Sequence, residues 1–88
     1  MTLGFPNPSR SFDATVNCVR FCGHDSAIEV SFFIEVDALA KLQPKLVQQE
    51  ANILDAFDDE IGKIHAAASK MYGKSSRKYV FTLSADNF

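Results

Sequence analysis

The chain contains few side chains that could carry out chemistry, and a compact group of them lies between Cys18 and Asp25. Cys22 and His24 are two residues apart, so an extended backbone places both on one face. A thiol beside an imidazole can act as a nucleophile when a third group, here Asp25 or Asn17, orients the imidazole. Cys22, His24 and Asp25 are therefore the candidate ligand turn. The alternative is an ordinary turn with an exposed or hydrogen-bonded histidine.

The other candidate groups do not complete a metal or catalytic site. No second Cys-x-x-Cys or His-x-x-x-His pair accompanies Cys22 and His24, whereas structural zinc needs four ligands. The acidic run at residues 55–60 lies on a predicted helix, where a solvated face is the ordinary interpretation. His65 lies at the edge of an apolar stripe and is interpreted as a structural histidine. We therefore expect no metal, no cofactor and no enzymatic activity.

A basic cluster near the C-terminus offers a second kind of site. The candidate nucleic-acid contacts are Lys70, Lys74, Arg77 and Lys78, with Tyr72 and Tyr79 among them. Basic residues interleaved with aromatic residues suit single-stranded nucleic acid. However, the chain has a net charge of −2, and Glu29 and Glu35 of the predicted sheet would repel phosphates. Nucleic-acid binding is therefore the alternative hypothesis.

Two predicted strands position the cysteines and the histidine. Residues 16–22 are rich in β-branched and aromatic side chains, which favour a strand. Residues 27–36 alternate in polarity, with one face made of Ile28, Val30, Phe32 and Ile34. Residues 23–26 have turn chemistry, so the two strands are predicted to form an antiparallel hairpin. Residues 78–84 alternate again and predict the last strand, while residues 1–11, with two prolines, predict an extended arm.

The pattern of residues 47–72 predicts one long amphipathic helix. Its apolar stripe consists of Val47, Leu54, Ile61 and Ala68, every seven residues, with Phe57, Ile64 and Met71 interleaved. Gly62 is its weak point, and Gly73 is placed to follow its end. A short helix before it is predicted to begin with Asp37 as N-cap and to end at Leu42.

The order of these elements predicts a single α+β domain over residues 1–88, because the chain is too short for two cores. The long helix packs on one face of a small sheet and returns the chain, so the last strand runs parallel to the second. Pairing of the last strand beside the first gives a split β-α-β unit, which is the predicted arrangement. Pairing directly beside the second strand is the alternative.

A difference in length predicts self-association. A helix of this extent is about 39 Å long, whereas the strands cover about 23–33 Å. One end of the apolar stripe therefore overhangs the sheet, and exposed apolar surface of that size marks an interface. The candidate dimer interface is Val16, Cys18, Phe33, Val47, Leu54, Met71 and Val80. The alternative is a helix that breaks near Gly62, with the arm covering the back of the sheet.

The N-terminal residues and the two cysteines predict a cytoplasmic localisation. The N-terminus has neither a basic start nor an apolar stretch, so it does not match a secretory signal, and no apolar run is long enough to span a membrane. Cys18 and Cys22, on one predicted strand, are about 13 Å apart. This is too far for a disulfide, so both thiols are expected to be reduced.

Several short motifs carry a family resemblance. They are Phe5-Pro6-Asn7, Arg10-Ser11-Phe12-Asp13, Val19-Arg20-Phe21, Gly23-His24-Asp25 and Glu29-Val30. With these motifs the chain resembles small bacterial proteins grouped as domain of unknown function family 1488. The resemblance covers nearly the whole length and implies a compact α+β domain with no assigned activity. It supplies no catalytic or ligand motif, and it leaves Cys18 and Cys22 outside the shared pattern.

Overall fold

The computed structural model describes residues 3–6, 9–74 and 78–88. In chain order its elements are β1 (Arg10–Asp13), β2 (Cys18–Asp25), β3 (Ile28–Glu35), α1 (Val36–Leu42), α2 (Glu50–Asp59), α3 (Ile61–Lys74), β4 (Val80–Leu83) and a 3-10 turn (Ala85–Asn87). The four strands form one mixed sheet in the order β1-β2-β3-β4. The predicted α+β class is confirmed.

The predicted antiparallel hairpin is confirmed, but its turn lies further along the chain. Cys18 pairs with Glu35, and pairing continues without interruption to Asp25 and Ile28. The turn consists of Ser26 and Ala27, with Ser26 at a φ of 56°. The predicted turn at residues 23–26 is wrong because Gly23 lies inside β2, where its missing side chain makes room for the N-terminal arm.

The last strand runs parallel to β3, as predicted, but the split β-α-β arrangement is wrong. Ser31 of β3 pairs with Val80 of β4, so β4 lies directly beside β3. The free edge of β2 is taken by β1, in which Arg10 pairs with Phe21. The second half of the predicted arm is thus an edge strand, and it occupies the place that the split arrangement reserved for the last strand.

The core lies between one face of the sheet and the helices. Val30, Phe32 and Ile34 are fully buried, as the alternation of β3 predicted, whereas Ile28 at the start of the strand is 45% exposed. Opposite them pack buried residues of the helices, among them Leu39, Ile53, Phe57, Ile64 and Ala68. Alternation along the strands leaves the other face, here called the open face, to Arg20, Cys22, His24, Ser31, Phe33, Val80 and Thr82.

The prediction of one continuous long helix is wrong. Helix α2 ends at Asp59 and α3 begins at Ile61, with Glu60 between them at φ −104° and ψ 17°. Glu60 precedes the N-terminus of α3, where a negative charge is favourable, whereas Asp58 and Asp59 end α2, where it is unfavourable. The exposed Gly62 lowers helix propensity just beyond this boundary. Val47 precedes α2 and lies in a loop, so it is not part of the helical stripe.

Two details of the helix ends also differ from prediction. Gly73 lies inside α3 and does not follow its end, and none of the described glycines has positive φ. Helix α1 begins at Val36, with Glu35 as an N-cap that makes no side-chain hydrogen bond, so Asp37 is a residue of the first turn. None of the helices within the described ranges is long and apolar enough to cross a membrane.

Replacing Gly62 by alanine is expected to raise the free energy of unfolding by about 0.5–1 kcal/mol, because alanine has the higher helix propensity. A Cβ atom at this position meets nothing within 4 Å, so no clash offsets the gain. Urea denaturation followed by circular dichroism measures the change. Gly73→Ala, equally free of neighbours, is the matched variant and should give a similar increase. A loss of stability in both variants would contradict the helical assignment.

Candidate functional site

The three residues of the candidate ligand turn do not converge. Cys22 and His24 lie on the open face, whereas Asp25 points to the helix face by the alternation of β2. The Asp25 carboxylate accepts a hydrogen bond of 2.7 Å from the Tyr72 hydroxyl of α3. This hydrogen bond raises the pKa of Tyr72 above its ordinary value. Asp25 therefore fastens the end of the hairpin to α3 and does not orient His24.

The thiols have ordinary surroundings. The Cys18 thiol is buried and donates a hydrogen bond of 3.3 Å to the Val16 carbonyl oxygen. Burial raises the pKa of Cys18, which disfavours the reactive thiolate. The Cys22 sulfur lies 3.8 Å from a carboxylate oxygen of Glu29 on the neighbouring strand. Among the described residues, no group of three His, Cys, Asp or Glu side chains could hold a metal ion.

The N-terminal arm covers His65, the histidine that was predicted to be structural. Gly4 and His24 exchange two main-chain hydrogen bonds of 2.8 Å each, which fixes the arm against β2. Phe5 then stacks on His65 of α3, with ring centroids 3.8 Å apart and planes 4° apart. The small cavity beside this stack has a volume of about 200 Å³ and is lined by Phe5, Ser9, Phe21, Cys22, Phe57, Asp58, Ile61 and His65. It is smaller than the ligand pockets typical of proteins.

The acidic run of the predicted helix contributes a tertiary contact beside this cavity. The Arg10 guanidinium of β1 donates two hydrogen bonds, of 2.9 and 2.8 Å, to the carboxylate of Asp58 in α2. The two-point geometry ties the edge strand to the helix layer. The contact with Asp58 also raises the pKa of Arg10. Asp58 is thus a structural partner of Arg10.

Lowering the pH from 7 to 5.5 is expected to destabilise the fold through His65. Burial lowers the pKa of His65 below its ordinary value of 6.5, so the unfolded chain binds this proton more readily. The contribution to stability is complete above pH 6.5 and is lost as the pH falls toward the lowered pKa. Urea denaturation at several pH values measures it. His65→Phe should flatten this dependence, and His24→Gln is the control that should retain it.

A shallow cleft runs between α3 and β4, here called the β4 cleft. One part is lined by Ala67, Lys70, Met71, Lys74, Asp86 and Asn87, and the other by Met71, Lys74, Lys78, Val80, Phe81 and Thr82. The cleft gathers three of the four candidate nucleic-acid contacts, Lys70, Lys74 and Lys78. The fourth, Arg77, lies outside the described residues. The sequence predicted the lysines as a cluster but not the cleft, because the cleft depends on how α3 packs beside β4.

The candidate dimer interface is dispersed over the molecule. Val16 lies in the turn before β2 and Val47 in the loop before α2, and both are more than half exposed. Phe33 and Cys18 belong to the sheet, where Cys18 is buried, and Leu54 is half-buried on α2. Met71 and Val80 do come together, since both line the β4 cleft. Phe33 and Val80 also share the open face on neighbouring strands, whereas Val16, Val47 and Leu54 lie elsewhere.

Comparisons with known proteins agree on the family and the fold. A family model described as "Protein of unknown function (DUF1488)" matches residues 3–83. The chain is also similar to the crystal structure of a protein of unknown function from the DUF1488 family of Shewanella loihica PV-4. The TM-score is 0.80 at 14% sequence identity, with 92% of this chain and 93% of that chain covered. No curated protein matches the chain.

Proposed function

The chain belongs to the DUF1488 family of proteins of unknown function, and from this premise we propose that it is a non-enzymatic protein-interaction module of the bacterial cytoplasm that acts as a homodimer. The observation that carries the proposal is a concentration of exposed apolar side chains at one end of the sheet. Tyr79 and Val80 are 52% and 60% exposed, and Ile28, at the start of the neighbouring strand, is 45% exposed. Val80 lies on the open face and Ile28 on the helix face, so exposed apolar side chains occur on both faces at this end of the sheet, and exposed apolar surface favours binding.

The chemistry of the polar groups supports a non-enzymatic role. Asp25 is engaged by Tyr72, and Asp58 is engaged by Arg10. The Cys18 thiol is buried. These three candidate acids, bases or nucleophiles are thus in structural contacts or buried. The free thiols Cys18 and Cys22 suit a reducing compartment.

Size-exclusion chromatography with light scattering tests the homodimer. At tens of micromolar, we expect a mass of twice the 9.7 kDa of one chain. Cys22→Ser is the control, because a dimer held by non-covalent contacts keeps its mass without this half-exposed thiol. A single-chain mass at all concentrations would contradict the proposal. A dimer that is lost in Cys22→Ser or in reducing agent would contradict it as well.

A second candidate function is supported by the β4 cleft. Its lining includes Lys70, Lys74 and Lys78, and the exposed Tyr79 directly follows Lys78 in the chain. Three cations beside an exposed aromatic ring suit single-stranded nucleic acid. Fluorescence anisotropy with a labelled oligothymidine at low salt tests it, and affinity should fall steeply as salt rises. Lys70→Glu with Lys74→Glu should weaken binding at least about tenfold. Lys45→Glu, in the loop after α1, is the control, and equal binding by all variants would exclude this function.

A further inference from the structure

The outer edge of β4 has main-chain groups available for another strand. Ser31 of β3 donates its N–H to the Tyr79 carbonyl oxygen at 2.8 Å. Successive residues of a strand direct their main-chain groups to opposite edges, so Phe81 and Leu83 also face β3. Val80 and Thr82 therefore direct their N–H and C=O groups outward. Within the described ranges, β4 is the terminal strand, and no group is bonded to this edge.

The unpaired outer edge of β4 ends at Ser84. The next residue that would face outward is Ser84, and its N–H is already bonded to the Asn87 side-chain oxygen at 2.8 Å. This bond belongs to the cap of the 3-10 turn, which ends the strand. The edge thus offers the groups of Val80 and Thr82, which form a short and defined hydrogen-bonding unit.

We propose that the outer edge of β4 pairs antiparallel with β4 of a second copy, so that two sheets join into one about a two-fold axis at Phe81. The proposal rests on the homodimer proposed above and names its interface. Val80 then lies opposite Thr82 of the second copy. At both residues each copy donates a main-chain hydrogen bond through its N–H and accepts one through its C=O. Every outward main-chain group of the pair is then satisfied. The exposed side chains of Val80 and Thr82 become cross-strand neighbours on the open face.

Charge complementarity favours a second copy as the occupant of this edge. Lys78 precedes the beginning of β4, and Asp86 follows its end. Antiparallel pairing brings the beginning of one β4 beside the end of the other. Both ends of the interface therefore combine Lys78 of one copy with Asp86 of the other. A two-fold axis makes the two contacts identical, as a closed dimer requires.

Thr82→Pro tests the main-chain pairing. Proline removes the outward N–H but leaves the bonds to β3, so an edge strand tolerates it within one copy. The dissociation constant of the dimer, from light scattering across a dilution series, should rise at least about tenfold. Circular dichroism verifies that the variant is folded. Hydrogen exchange of the native protein gives an independent measurement. The Val80 and Thr82 amides should be protected at high concentration and exchange on dilution, while the Phe81 and Leu83 amides stay protected.

Charge reversal tests the orientation. Lys78→Asp and Asp86→Lys should each weaken the dimer a few-fold, and the double variant should recover affinity. Lys45→Asp is the matched control. A native protein that is always monomeric would overturn both this interface and the homodimer. A dimer that keeps its affinity in Thr82→Pro, with edge amides that exchange at every concentration, would overturn the interface and leave the homodimer standing. If the Val80 and Thr82 amides are protected from exchange only when a peptide or protein other than this chain is added, self-pairing would be overturned.

Discussion

Replacing Phe32 by alanine is expected to lower the free energy of unfolding by about 3–5 kcal/mol, the usual loss for a large buried aromatic side chain. Phe32 is fully buried in the middle of β3. Its ring lies 5.2 Å from Phe21 and 5.4 Å from Phe81, so it joins three strands in one aromatic row. A small domain has a total stability of about 5–15 kcal/mol. The variant should therefore be close to the limit of folding at ambient temperature.

The neighbouring residue provides the control for this prediction. Phe33 points to the open face and is only half-buried, so Phe33→Ala should cost far less than Phe32→Ala. Urea denaturation followed by circular dichroism measures both variants, at a concentration low enough to avoid self-association. Equal losses for the two variants would contradict the assignment of the faces of β3.

Replacing Gly23 by valine is expected to displace the N-terminal arm and lower the free energy of unfolding by about 1–3 kcal/mol, as overpacking does. A Cβ atom at this position lies 3.0 Å from side-chain carbons of both Leu3 and Phe5, and 3.3 Å from the Gly4 carbonyl oxygen. These contacts are too close to be kept. Hydrogen exchange should show loss of protection at the Gly4 and His24 amides, which bond the arm to β2.

A double-mutant cycle separates displacement of the arm from general damage to β2. In a Phe5→Ala background, one of the two close contacts is already gone, so Gly23→Val should cost less than in the native chain. If the cost of Gly23→Val is the same in both backgrounds, the valine acts on the strand itself. That result would contradict the role of Gly23, which is to leave room for the N-terminal arm against β2.

The hairpin could be predicted from the sequence because its signals are local. Alternation along β3 depends only on which residues face the core, and Val30, Phe32 and Ile34 satisfy it. The position of the turn could not be predicted in the same way. Glycine serves both turns and close approaches, and only the tertiary contact with Phe5 shows which of the two Gly23 provides.

The helix boundary and the site contacts depend on information that periodicity does not contain. The apolar stripe continues in phase across Glu60, so it does not distinguish one helix from two. Gly62 was the available signal for a break. Tyr72 and Asp25 are 47 residues apart, and their hydrogen bond follows from how α3 packs over the hairpin. The lysines of the β4 cleft share one feature because α3 packs beside β4. The pairing rules placed the last strand at an edge but left open which strand it pairs with.

The parallel pairing of β3 with β4 also determines which part of the sheet is slowest to assemble. The hairpin closes over the turn at Ser26 and Ala27, whereas joining Phe32 to Phe81 encloses all three helices. The entropy lost on closing a loop grows with its length, and sequence-distant contacts slow folding. Docking of the final strand is thus expected to limit the refolding rate, with the aromatic row completed at that step.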